Sequence, residues 1–182
     1  KLLWEFTHAN LGYSYGNPII TKRASDGKWV VIFASGYNNS SPGDGKGRLY
    51  VLDAFTGAKL SEIITDSSVN DEQRSGIARI SNYVETGLTD NSTQYIYGGD
   101  LDGALWRFDI TATVSSVVNA GKSQLLGRTA SAGNRVQPIT VQPELAKIRD
   151  GAGNWHRVVY FGTGRYLGPN DVTNSDPSNG KE

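Results

Sequence analysis

The sequence predicts an all-β protein built of repeated four-stranded antiparallel sheets, the blades of a β-propeller. Three observations carry this. Twenty-two glycines against six prolines suit a chain with many tight turns, and 4 Trp, 9 Tyr and 5 Phe suit the pleated faces of strands. Runs of β-branched and aromatic residues ending in small ones recur at 29–36, 94–100 and 157–164; within them Phe33, Tyr97 and Phe161 are spaced 64 residues apart both times (97 − 33 and 161 − 97). Each run has further strand-like segments around it, and none is long enough for a helix.

The elements follow in order. The opening Lys1-Leu2-Leu3-Trp4-Glu5-Phe6 alternates like the last strand of a preceding blade. A first strand is expected at Pro18-Ile19-Ile20-Thr21, again at Gly76-Ile77-Ala78-Arg79-Ile80, and again at Pro138-Ile139-Thr140-Val141. The three recurring runs come second; apolar at consecutive positions, they read as inner strands buried on both faces. Third strands are expected at 48–53 and 103–109, and fourth strands at 59–65 and 124–129. The chain thus divides into the end of one blade (1–16), a blade (17–66), a second blade (75–130), the start of a third (135–168) and a tail (169–182), all within one partial propeller domain, 1–182. With no Met and a start at Lys1, it is expected to be an excerpt of a longer chain.

Turn chemistry agrees with this layout. In Asp53-Ala54-Phe55-Thr56-Gly57 the carboxylate can accept backbone N–H groups while Gly57 takes a positive φ. Asp102-Gly103 predicts a two-residue hairpin. Residues 36–47 form the equivalent hairpin of the first blade with a long insertion, the kind of place where contact surfaces grow.

Composition removes several function classes. Eighteen Lys and Arg balance eighteen Asp and Glu, so no net field draws the chain to nucleic acid or an anionic bilayer. The absence of Cys removes disulfides and thiolate metal sites. No apolar run approaches the roughly 20 residues that span a bilayer. His8 and His156, the only histidines, sit in no metal-ligand spacing and beside no nucleophile set, so neither is assigned a catalytic role. Gly43-Asp44-Gly45-Lys46-Gly47 lacks the Walker spacing and a following helix, and reads as a turn. No pair of nucleophile and base stands out, so catalytic residues and cofactors are both expected to be none.

The segment from Leu49 to Gly57 resembles the repeat of pyrroloquinoline-quinone-type propellers, in which this motif joins blades; Trp4 and Trp106 accordingly read as packing between blades. A wider set of motifs carries a sharper resemblance: Leu3-Trp4-Glu5-Phe6 with residues 11–18, then 29–38, then Tyr97-Gly98-Gly99-Asp100 running on to Asp109, then 160–168. Together these resemble the β-propeller domain of the PilC/PilY family, tip-associated adhesins and assembly factors of bacterial type IV pili. The resemblance implies a non-enzymatic scaffold or adhesin module at the cell surface or outer membrane, with pilins, minor pilins and a host cell surface or matrix as partners. The alternative is a fragment of a quinone-dependent dehydrogenase propeller.

Family members often carry a calcium loop ahead of the Tyr-x-Gly-Asp strand. The matching stretch offers Asn82, Glu85, Asp90 and Asn91 at irregular spacing, short of the alternating oxygens calcium needs, so the expectation is no metal, with these four as the candidates and Asp150-Gly151-Ala152-Gly153-Asn154, which reads as a glycine-rich hairpin, as a weaker one. Tyr37, Asn38, Asn39, Asp44 and Tyr83 are the surface-contact candidates, on loops 36–47 and 83–94. Tyr13, Tyr15 and Tyr166 also fall at strand ends, where tyrosine serves recognition or packing equally well. Open sheet edges in a partial propeller predict self-association.

Overall fold

The computed structural model describes residues 1–65, 76–85, 87–111, 122–129 and 137–169; the tail expected at 169–182 lies outside them after Pro169. The first sheet contains β1 (Ile19–Arg23), β2 (Trp29–Ala34), β3 (Arg48–Asp53) and β4 (Lys59–Ile64), antiparallel in chain order. The second contains β5 (Ile77–Tyr83), β7 (Tyr95–Asp100), β8 (Ala104–Asp109) and β9 (Ser123–Arg128), and the third β10 (Glu144–Arg149) with β11 (Trp155–Tyr160). Between β5 and β7 lies β6 (Ser92–Thr93), which pairs parallel with β1 and so belongs to the first sheet. No helix interrupts this order among the described residues.

The first two sheets stack face to face. Val30, Ile32, Leu49, Val51 and Ile63 of one meet Ile77, Ile96, Trp106 and Phe108 of the other, all at most 1% exposed. Burying each such side chain stabilises the fold by about 1.5–3 kcal/mol. Because strands of a stacked sheet lose both faces to neighbours, β3 is buried at five consecutive positions from Arg48 to Leu52, where a half-exposed strand would alternate.

Four local expectations need correction. Residues 1–6 form no strand. Trp4, Phe6, His8 and Asn10 do turn inward at every second position, but the segment docks by side chains on the free face of the first sheet: Trp4 Nε1 donates to the Ala54 carbonyl at 3.0 Å, and Phe6 packs on Phe33 and Tyr50 at 5.4 and 5.2 Å between ring centres. Alternation measures which side is covered, not whether the backbone is paired. Gly57, at φ +73°, makes room for that indole, since a Cβ there would lie 2.7 Å from the Trp4 ring.

The third sheet starts later than expected. Residues 138–141 make one isolated bridge, Ile139 to Gly164, and the first strand is β10, which follows Pro143 as β1 follows Pro18. Two prolines five residues apart offered two entries, and a strand begins after the second. The Asp102-Gly103 hairpin is a three-residue turn, 101–103, with Gly103 at φ +69°.

The spacing of 64 is one residue short of the true equivalence. Phe33 lies opposite Tyr50 and faces away from the core, whereas in the second sheet the residue opposite Trp106 is Gly98, 65 positions after Phe33. Tyr97 points to the other side, since a shift of one residue exchanges the faces of a strand. Phe161 falls just past the end of β11. Strands β2 and β7 correspond, but the side chains of Phe33 and Tyr97 do not, and Phe161 lies outside a strand.

Trp106 is 1% exposed and fills the gap between the sheets. Replacing Trp106 by Ala is expected to lower the unfolding free energy by about 3–5 kcal/mol, read from chemical denaturation; a loss below about 1 kcal/mol would show that the indole does not bridge the sheets.

Candidate functional site

Two aspartates close the hairpins that aim the loops. Asp53 Oδ1 accepts from the backbone N–H of Phe55 and Thr56 and from the Thr56 hydroxyl, each at 3.0 Å, and these bonds hold its carboxyl below the usual range. Asp100 does the same work in a buried setting. It accepts from Ala104 N at 2.8 Å, Asp102 N at 3.0 Å and Trp106 Nε1 at 2.7 Å. Burial outweighs these donors and pushes its carboxyl from an ordinary 3.8 up to about 7.

The long insertion, 36–47, is pinned down by its own polar groups. Asn39, 3% exposed, donates through Nδ2 to the carbonyls of Asn10 at 3.1 Å and Lys46 at 2.9 Å. Asn10 Oδ1 in turn accepts from Asp44 N at 3.1 Å. Arg48, 3% exposed, forks onto both Asp44 oxygens and donates through Nε to Glu62 Oε1 at 2.8 Å. Glu62 also holds Lys59 at 2.7 Å, with the His8 ring 3.6 Å away. Burial pushes the Glu62 carboxyl up, but Lys59, Arg48 and His8 together bring it below the ordinary value. A planar guanidinium suits this double fork, which a lysine could not make.

The contact candidates therefore occupy unlike settings. Asn38 is exposed at the loop tip with φ +58°, and Asp44 is exposed but bound to Arg48. Asn39 and Tyr37 are buried. Tyr83 is half-buried beneath the Arg157 guanidinium, 4.8 Å from its ring centre. The four calcium candidates are each engaged within the protein. Asn82 Nδ2 donates to Thr93 Oγ1, Glu85 pairs with Lys147 and Arg157, Asp90 accepts from Ser92 Oγ, and the Asn91 carbonyl accepts from Thr21 Oγ1. Among the described residues no three His, Asp or Glu side chains converge as a metal cluster. Loop 83–94 is partly tied down as well, because β6 within it forms the parallel pair with β1, where Thr21 and Thr93 hydroxyls meet at 2.9 Å.

One feature could not be foreseen as a unit. Tyrosines noted singly in the sequence converge on a cleft of about 570 Å³ between loops of the first sheet, strand β5 of the second and the segments flanking the third: Tyr15, Tyr37 and Tyr166 line it with Arg79 and residues 140–142. The Tyr13, Tyr15 and Tyr37 rings follow one another at 6.1 and 6.3 Å.

The folded Asp100 carboxyl binds its proton more tightly than the unfolded one, so its contribution to stability is complete below about pH 4 and lost as pH rises through about 7. The stability difference between the wild type and Asp100→Asn should accordingly shrink between pH 4 and pH 7, measured by denaturation at each pH; a difference independent of pH would contradict the raised affinity. Glu62→Ala, which strips a buried guanidinium of one carboxylate, should cost about 3–5 kcal/mol in the same assay.

Comparison with known proteins places this geometry. A family model described as the PilY1 beta-propeller domain matches residues 5–179. The type IV pilus biogenesis factor PilY1 of Pseudomonas aeruginosa strain PAO1 is 32% identical over 92% of the chain, and a PilY1 homolog of Xylella fastidiosa is 29% identical over 98%. The chain spans only 15% and 12% of those two relatives' lengths. The crystal structure of the Pseudomonas aeruginosa PilY1 C-terminal domain superposes with a TM-score of 0.71 at 29% identity, over 94% of this chain and 37% of that one. Stacked antiparallel sheets, their aspartate-closed turns and these matches lead to one assignment: the chain belongs to the PilY1 β-propeller domain family.

Proposed function

We propose that the chain is a non-enzymatic scaffold of a type IV pilus biogenesis factor, working outside the cell, and that loops 36–47 and 83–94 present its contacts to pilins, minor pilins or a host surface. The observation that carries this reading is the way the loop is held. An insertion whose tip, Asn38 and Ser40, is exposed while Asn39, Asp44 and Arg48 lock its base is already ordered, so binding through it loses little conformational freedom. The relatives' names, pilus biogenesis factors, supply the class of partner. The division into one partial propeller domain with units at 1–16, 17–66, 75–130 and 135–168 belongs to the same proposal, as does self-association of the isolated chain.

Binding of the purified chain to purified pilins and minor pilins, read by biolayer interferometry, tests the contact. Ser40→Trp at the exposed tip should weaken it at least tenfold with the melting temperature unchanged. Unaltered binding by the variant, or no binding by the wild type, would overturn the loop's role.

A further inference from the structure

The tyrosine-lined cleft has the marks of a ligand site that the pilus reading touches only at Tyr37, the buried base of loop 36–47. Tyr37 is 6% exposed and lines the cleft, yet its hydroxyl has no hydrogen-bond partner among the described residues. That oxygen is open to the cleft, where water or a ligand can pair with it. Burial moves the phenol up to about 12, so it is a neutral donor at physiological pH. Arg79, on the edge strand β5, is exposed at the same cleft and forms no ion pair with any described carboxylate, unlike Arg48, Arg157 and Arg23. Tyr15 and Tyr166 are 60% and 75% exposed, so two flat rings face outward beside a guanidinium with no ion pair among the described residues.

The walls are fixed. Thr140 Oγ1 donates to the Gly164 carbonyl at 2.8 Å, and Gln142 Nε2 donates to the Ile80 carbonyl at 3.2 Å, leaving Gln142 Oε1 without a described partner. The volume of about 570 Å³ is within the roughly 300–1,000 Å³ of small-molecule sites. A peptide strand is the less suitable occupant, because the β5 edge is closed to it. Ile80 O is taken by Gln142, and Gly16 lies so near Ala78 that a Cβ on it would stand 1.8 Å from the Ala78 carbonyl. What remains is recognition by side chains: an anion partner, two aromatic platforms, one phenol donor and one amide acceptor. An anionic ring bearing hydroxyls satisfies all of them.

We infer that this cleft binds an acidic sugar unit, with its carboxylate on Arg79, its ring against Tyr15 and Tyr166, and its hydroxyls on Tyr37 and Gln142. Guanidinium and carboxylate meet as a two-pronged pair, and the aromatic faces take the C–H side of the ring. The site requires no pilin and holds whether or not loop 36–47 makes the pilus contact.

Titration of the 182-residue chain with tri-galacturonate, followed by amide NMR shifts, tests the inference. Saturable shifts should concentrate at Tyr15, Tyr37, Arg79 and Tyr166. The methyl-esterified trimer, which keeps the rings and loses the charge, should bind at least tenfold more weakly, and so should the Arg79→Gln variant with the natural trimer. Tyr37→Phe, which removes one oxygen and no packing, should weaken binding several-fold while leaving the melting temperature in place. Absence of saturation by the acidic trimer overturns the inference. Equal binding of the methyl ester overturns it as well, since the carboxylate then makes no contact with Arg79, and equal or tighter binding of glutarate or hexaglutamate overturns it in favour of a general carboxylate or acidic-peptide site.

Discussion

Trp106 spans the gap between the first and second sheets, and its indole N–H ends on a carboxylate that also closes the neighbouring turn. One residue, Asp100, therefore sets the hairpin between β7 and β8 and fixes the orientation of the largest side chain in the core. Sheets that stack must be spaced by side chains held in a single rotamer, because a core at crystal-like density tolerates few alternatives. Turn geometry and sheet spacing are thus linked through three hydrogen bonds, and the loops inherit their positions from that link.

The first sheet solves the same problem differently. There Tyr50 occupies the ladder position corresponding to Trp106, and its ring packs beneath Phe6 and His8 of the N-terminal segment. The hydroxyl lies 3.1 Å from His8 Nδ1, which brings the segment into contact with the Arg48, Glu62 and Lys59 group. Loop 36–47, the N-terminal segment and the outer strand β4 are consequently one polar assembly. The loop's order depends on charges buried behind it as much as on its own sequence.

Much of this was legible from residues alone. Glycine and aromatic usage, the recurring runs and the Asp53 turn pointed to the sheets and to most strand positions, because consecutive apolar residues directly encode a strand buried twice. What escaped depends on distance in the chain. The two residues of β6 have no periodicity to read, and their partner is about 70 positions upstream. The one-residue difference between Tyr97 and Gly98 as the counterpart of Phe33 could be settled only by knowing which side chain lies across the ladder. The cleft needed five separate segments of the chain, so its tyrosines read singly as ordinary packing; an arginine with no acidic residue at neighbouring positions, Arg79, was the local sign available.

The parallel pairing of β6 with β1 has a mechanical consequence. Although β6 follows the second sheet's first strand in the chain, its hydrogen bonds are made to the first sheet, with Ala24 N and the Thr21 hydroxyl adding to the join. Traction that tried to draw these two sheets apart would load those bonds in parallel with the hydrophobic contact, so separation demands that several links fail together. Tension is thereby shared across the seam between blades and does not fall on the connecting chain alone.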